Sequence, residues 1–137
     1  MDRQDLGPNL PIKRDVQPVE SFLPLTPAVF SILLALAAGE KHGYAIMQEF
    51  AAANAGTLRL GPGTLYRSIK QLLAGGLIEE SGDRPDASLD DERRRYYRLT
   101  GFGRRVLSAE AERLGRLVSH AQGLLQSNRR PGPRGAR

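Results

Sequence analysis

From Thr26 onward the chain alternates between stretches where apolar residues recur every three or four positions and short breaks at Gly and Pro. Thr26 suits an N-cap and Pro27 a first helical position, so the apolar run from Ala28 to Ala38 predicts a helix that Gly39 stops. Val29, Phe30, Ile32, Leu33, Leu34 and Leu36 circle almost all of it, which calls for burial on more than one side, in part by a second subunit. A second helix is predicted from Gly43 to Asn54, where Tyr44, Ile46, Met47, Phe50 and Ala51 make the inner face and Asn54-Ala55-Gly56 the stop. Leu58-Arg59-Leu60 is at most one short strand. Gly61-Pro62-Gly63-Thr64 then opens a third helix that runs to Ala74 and ends at Gly75-Gly76. Its inner stripe is Leu65, Ile69, Leu72 and Leu73, leaving Thr64, Arg67, Ser68, Lys70 and Gln71 on or near the opposite face.

The pattern changes again after Gly76. Leu77 to Ser81 and Arg94 to Leu99 read as the two strands of a hairpin with a long charged tip, Gly82 to Arg93. Thr100 caps a last helix in which Leu107, Ala111, Leu114, Val118, Ala121 and Leu125 step by four and three, a seam widened by Val106, Leu117 and Leu124. One small domain offers too little surface to cover so long a seam, so a second copy of the chain is the expected partner. Three helices, a hairpin and a helix give the expected fold class, mainly α with a small β-hairpin, as a winged helix-turn-helix plus a C-terminal dimerisation helix. Residues 1–20, interrupted by Pro8, Pro11 and Pro18 and without an apolar face, are expected to be a disordered leader. Residues 21–100 form the winged helix-turn-helix, 101–127 the dimerisation helix, and 128–137 a disordered basic tail in which Pro131 and Pro133 forbid helix. The same order of elements also builds modules that touch no nucleic acid, so a winged-helix protein-interaction module binding an acidic partner is the alternative.

Composition narrows the chemistry. The 137 residues have the length of one domain, and the absence of Cys removes disulfides, thiolate metal sites and a cysteine nucleophile together. No apolar run is long enough to span a membrane and the first twenty residues lack a signal-peptide core, so a cytoplasmic protein without a membrane partner is expected. His42 and His120, the only histidines, lie apart and without acidic neighbours at ligand spacing, and are read as structural or solvated. Gly61-Pro62-Gly63 lacks the third glycine of a dinucleotide fingerprint and the Lys-Ser/Thr pair of a phosphate-binding loop. Neither catalytic residues, nor a cofactor, nor a metal site is therefore expected. The charge points elsewhere: 20 Lys and Arg against 15 Asp and Glu leave +5, a balance suited to a polyanion.

Four phrases in order then carry a family resemblance. His42-Gly43-Tyr44-Ala45-Ile46, Gly61-Pro62-Gly63-Thr64-Leu65-Tyr66-Arg67, Leu77-Ile78-Glu79 and Tyr96-Tyr97-Arg98-Leu99-Thr100 resemble, respectively, the second helix, recognition helix, first wing strand and second wing strand of the PadR family of bacterial transcriptional regulators. The resemblance spans roughly Leu25 to Gln122 and implies a homodimeric DNA-binding regulator, usually a repressor, with its third helix in the major groove and its last helix in the dimer contact. The short C-terminal region resembles the smaller subgroup, with one terminal helix. It also implies that a small-molecule effector can bind between subunits, as in some members. This chain lacks the Trp such a pocket can use, and the seam around Phe22, Phe30 and Phe102 is the expected place for a ligand. Two departures stand out. Gly61 occupies a position that is commonly Ser, and the wing tip carries Asp83, Asp86, Asp90, Asp91 and Glu92, which repel phosphate, so the tip is not expected in the minor groove.

Duplex DNA as partner assigns roles to particular residues. The start of the third helix at Pro62, Gly63 and Thr64 offers unpaired N–H groups and a positive dipole end to one phosphate. Arg67 is expected to read a base edge and Lys70 to meet a phosphate, against the plainer reading of a solvated helix face. Tyr44 and Tyr66 either pack at the boundary of the core or touch the DNA backbone. Arg93, Arg94 and Arg95 either face phosphate or neutralise Asp90, Asp91 and Glu92. The dimer contact is expected at Phe30, Leu107, Leu114, Val118, Ala121 and Leu125, and a two-fold dimer would read an inverted repeat.

Overall fold

The computed structural model describes residues 17–83 and 95–129. The helices are α1 (Pro27–Ala37), α2 (Gly43–Ala53), α3 (Pro62–Ala74) and α4 (Gly101–Arg129); the strands are β1 (Lys41–His42), β2 (Ile78–Asp83) and β3 (Arg95–Leu99). Capping explains most of these boundaries. The Thr26 hydroxyl accepts the Val29 N–H at 3.1 Å to open α1, with Pro27 following as the first helical residue. At α3 the cap is Gly61, which has no side chain to offer, and Pro62 again follows. Thr100 opens α4 by accepting the Gly103 N–H at 2.9 Å while its hydroxyl donates to the Gly76 carbonyl at 2.6 Å.

The wing is an antiparallel hairpin in which Ile78 pairs with Leu99, Glu79 with Arg98 and Glu80 with Tyr97, followed by a bulge at Ser81. A third strand, β1, pairs with the far edge of β3, Lys41 opposite Tyr97 and His42 opposite Tyr96, so the sheet order is β1-β3-β2. Leu58-Arg59-Leu60, expected to be at most one short strand, forms none. The segment pairs with none of the three strands and contributes the buried side chain of Leu60 to the core.

One apolar cluster joins these layers. Ile32, Leu33 and Leu36 of α1, Ile46 of α2, Leu65 and Ile69 of α3, Leu77 and Ile78 at the hairpin, and Val106 of α4 are all essentially inaccessible. Residues 1–16 of the expected leader lie outside the described residues, whereas Val19–Phe22 forms a single 3-10 turn. Val19 and Phe22 are drawn in because they have apolar surface to cover: both are half-buried against the cluster, and the Phe22 ring meets Phe102 edge-on at 5.5 Å. Among the described residues no helix is long and apolar enough to cross a membrane.

Helix α4 is locked to the domain at two levels. At Gly103 the helix runs so close to Leu77, just before β2, that a Cβ would overlap the Leu77 carbonyl oxygen. Two turns later Glu110, 1% exposed, accepts the Leu25 N–H at 2.9 Å and takes two hydrogen bonds from Arg113, at 2.6 and 2.9 Å. The Arg113 hydrogen bonds pull the Glu110 pKa below its ordinary 4.5; burial opposes this, and the Leu25 N–H adds to the lowering.

Both locks are measurable. Gly103→Ala forces the helix off the hairpin and is expected to lower unfolding stability by about 1–3 kcal/mol in denaturant titrations, whereas Gly101→Ala, with open space around its Cβ, should not. A carboxylate with a depressed folded pKa contributes stability that is fully present above its unfolded value and is lost as pH falls through the folded value. The stability gap between the protein and Glu110→Gln should therefore be flat at neutral pH and shrink below pH 4.5. A gap that instead widened on acidification would contradict the Glu110–Arg113 pairing.

Candidate nucleic-acid interface

The setting of α3 follows from its buried side. Leu65, Ile69 and Leu72 lie inward, and Ser68, between Leu65 and Leu72 on the helical net, is carried in with them at 8% exposure. Ser68, expected on or near the polar face, is instead buried, because the buried arc of this helix is wider than its apolar residues. Thr64, Arg67 and Lys70 are exposed, as are Pro62 and Gly63 at the helix start. The Arg67 guanidinium lies 3.4 Å from the Thr64 hydroxyl, one turn back on the same face.

Strand alternation brings the wing to that face. On β3, Arg95 stands on the same side as buried Tyr97, while Arg98 points the other way and pairs with Glu79 at 2.8 Å. A cleft of about 560 Å³ between α3 and the sheet is lined by Tyr66, Arg67, Ile69, Lys70, Leu73, Glu80, Arg95 and Tyr97. Three of the expected basic contacts, Arg67, Lys70 and Arg95, thus border one opening. Arg93, Arg94 and the acidic tip beyond Asp83 lie outside the described residues. Glu80, which was not among the expected contacts, puts a carboxylate among these cations. Its signal was the period of two that sets it on the same face as Ile78.

The two tyrosines have different surroundings. Tyr66 is half-buried, with its hydroxyl against Gly43 at the start of α2, so close that any side chain at Gly43 would meet it. The ring is therefore a spacer between α2 and α3. Tyr44 is 49% exposed and stacks beside His42 with 6.5 Å between ring centroids. His42 is structural: its Nδ1 accepts the Ala45 N–H at 3.1 Å and so caps α2, while its ring meets Tyr96 edge-on. Among the described residues no cluster of His, Cys, Asp and Glu is arranged to hold a metal ion.

The expected dimer residues divide along α4. Leu107 is 7% exposed within the domain's own cluster, where the start of the helix is pinned to the hairpin, so it is not open to a partner. Phe30 and Leu114 are half-buried, and Ala111 and Ala121 exposed. Val118 and Leu125 are more than half exposed, as are Leu117 and Leu124 beside them. Near the expected ligand seam, Phe22 and Phe102 fill the space against each other, and a mostly apolar cavity of about 200 Å³ is bordered by Phe22, Pro24, Val29 and Leu72.

Residues 32–109 match the model of the transcriptional regulator PadR-like family. The chain belongs to that family. The fold agrees, since a PadR family transcription regulator from Clostridium difficile superposes with a TM-score of 0.60 at 21% identity, covering 73% of this chain and 99% of that one. A PadR-like regulator from Bacillus cereus superposes with a TM-score of 0.60 at 19% identity, covering 79% and 95%. A PadR-like transcription factor from Bacteroides fragilis is 26% identical with a TM-score of 0.54, covering 68% and 87%. In sequence, 89 residues are 39% identical to a 37.1 kDa protein in a transposon of Streptomyces fradiae; the match takes in 63% of this chain but only 22% of that relative's length. This PadR-like regulator accordingly has the winged-helix architecture of DNA-binding transcription regulation, with β2–β3 as the wing.

Proposed function

We propose that this PadR-like chain is a cytoplasmic, non-enzymatic transcriptional repressor that binds an inverted-repeat operator as a homodimer. In this reading α3 enters the major groove, Arg67 contacts a guanine edge, and Lys70 and Arg95 hold phosphates on either side of the cleft. The N-terminal turn of α3 at Pro62, Gly63 and Thr64 receives another phosphate. The observation that carries the proposal is that Thr64, Arg67 and Lys70 are exposed on α3, and that Arg67 and Lys70 share a cleft with Arg95 from the wing. Support for the dimer comes from the outer half of α4, where Leu117, Val118, Leu124 and Leu125 are each more than half exposed along one long helix. Apolar surface repeated in this way marks a protein contact more often than a solvated face, and a second α4 has the matching repeat.

The test begins with duplex DNA selected from a random pool by the full chain, titrated at fixed salt beside a scrambled duplex of equal length. The selected duplex should bind more tightly and contain an inverted repeat with half-site centres roughly 34–36 Å apart. Arg67→Ala should cost about 1–3 kcal/mol of that affinity, some 5- to 150-fold, and relax one base position while leaving scrambled DNA almost unaffected. Equal affinity for both duplexes would overturn the reading in favour of an acidic protein partner. Replacing Leu117 and Leu124 together by Glu should convert a dimer to a monomer in sedimentation equilibrium.

A further inference from the structure

Helix α4 is fastened to the DNA-binding domain along its first turns and then leaves it. Thr100 and Gly103 hold its start against Gly76 and Leu77, where α3 ends and the wing begins. Phe102 meets Phe22 on the other flank. Glu110 is the last buried residue of α4 among those described, and from Gly115 to Asn128 every residue is exposed.

The burial of Glu110 is not explained by its neighbour alone. An Arg–Glu pair three residues apart on a helix forms equally well at the surface and contributes little there. Here the carboxylate is buried because it also reaches across the fold to the Leu25 N–H, immediately before the cap residue of α1. Arg113, itself partly exposed, holds both oxygens and so fixes the plane of the carboxylate. Apolar contacts tolerate sliding, whereas a hydrogen bond to one N–H does not. Gly103 and Glu110 thus give α4 two fixed points on the domain.

The lever arms are unequal. At 1.5 Å per residue, Glu110 lies about 10 Å beyond Gly103 and Arg129 about 39 Å beyond it, so a slip of about 1 Å at Glu110 becomes roughly 4 Å at the far end. One base pair of B-form DNA is about 3.4 Å of helix axis, so that displacement is on the scale of one base pair of half-site separation.

We propose that Glu110, acting through Leu25 and Arg113, is a positioning residue that sets the angle at which α4 leaves the DNA-binding domain and thereby the half-site spacing the dimer reads. This rests on the dimeric, inverted-repeat reading above. The experiment uses the full chain and the selected duplex, remade with its centre lengthened or shortened by one and two base pairs. The unmodified protein should lose at least about tenfold in affinity for each altered spacing. Glu110→Ala should remain a dimer, bind an isolated half-site as tightly as before, and show a spacing profile flattened to within about threefold. Glu110→Gln keeps an oxygen for the Leu25 N–H and should restore the preferred spacing. A Glu110→Ala protein that melts earlier yet keeps the sharp profile overturns the proposal, since its role is then stability alone. If Glu110→Ala does not fold, Arg113→Ala decides in the same way: a flattened profile supports the proposal and a sharp one overturns it. Failure of the underlying reading looks different, because the unmodified protein would then select no inverted repeat.

Discussion

Helix α3 has one rotational setting because three apolar side chains allow no other. Successive residues on an α-helix turn by about 100°, so burying Leu65, Ile69 and Leu72 determines where every other residue of the helix points. Each of these side chains contributes roughly 1.5–3 kcal/mol on burial, more than an exposed ion pair such as Glu79–Arg98 supplies at about 0–1 kcal/mol. The orientation of Thr64, Arg67 and Lys70 is thus a consequence of the core behind them. Ile32 and Leu36 of α1, Ile46 of α2 and Leu77 at the hairpin complete that core, and Tyr66 holds the gap between α2 and α3 against Gly43. Polar and charged residues decorate a geometry that apolar packing has already set.

The wing adds a second cationic edge to the same opening. Because β3 alternates, Tyr97 can anchor the strand while Arg95 on the same side borders the cleft, and Arg98 on the other side is taken up by Glu79. Glu80 makes the opening electrostatically mixed. A carboxylate beside three cations weakens attraction for any anion that merely approaches, and favours a ligand whose charges fit the arrangement. Indiscriminate adhesion to polyanions is weakened more than a fitted contact.

Helix α4 follows one apolar rhythm through two environments. Up to Leu107 its apolar residues belong to the domain core; from Leu117 onward similar residues stand in the open. The change falls around Glu110, a buried carboxylate on a helix that otherwise alternates apolar and exposed polar positions. A polar anchor suits this place, because it resists the sliding that a continuous apolar contact would tolerate.

Helix identity and order were legible in the residues themselves. Thr26-Pro27, Gly61-Pro62 and Thr100 carry their caps in the local chain, and the spacing of Leu65, Ile69 and Leu72 states which side of α3 is inward. These are properties of neighbouring residues, and they survive without knowledge of the rest of the fold. The hairpin strands were legible for the same reason, by alternation around a turn-rich stretch. What stayed hidden depended on residues distant in the chain. Strand β1 is two residues long and exists only because β3 offers an edge, whereas Leu58–Leu60, more strand-like in composition, pairs with no strand of the sheet. Ser68 is buried by the width of the surrounding walls, Leu107 is claimed by its own domain, and Glu110 is charged, yet buried by an N–H eighty-five positions away. Local periodicity records which face of an element is apolar, whereas the partner that covers that face is decided only when separate segments meet.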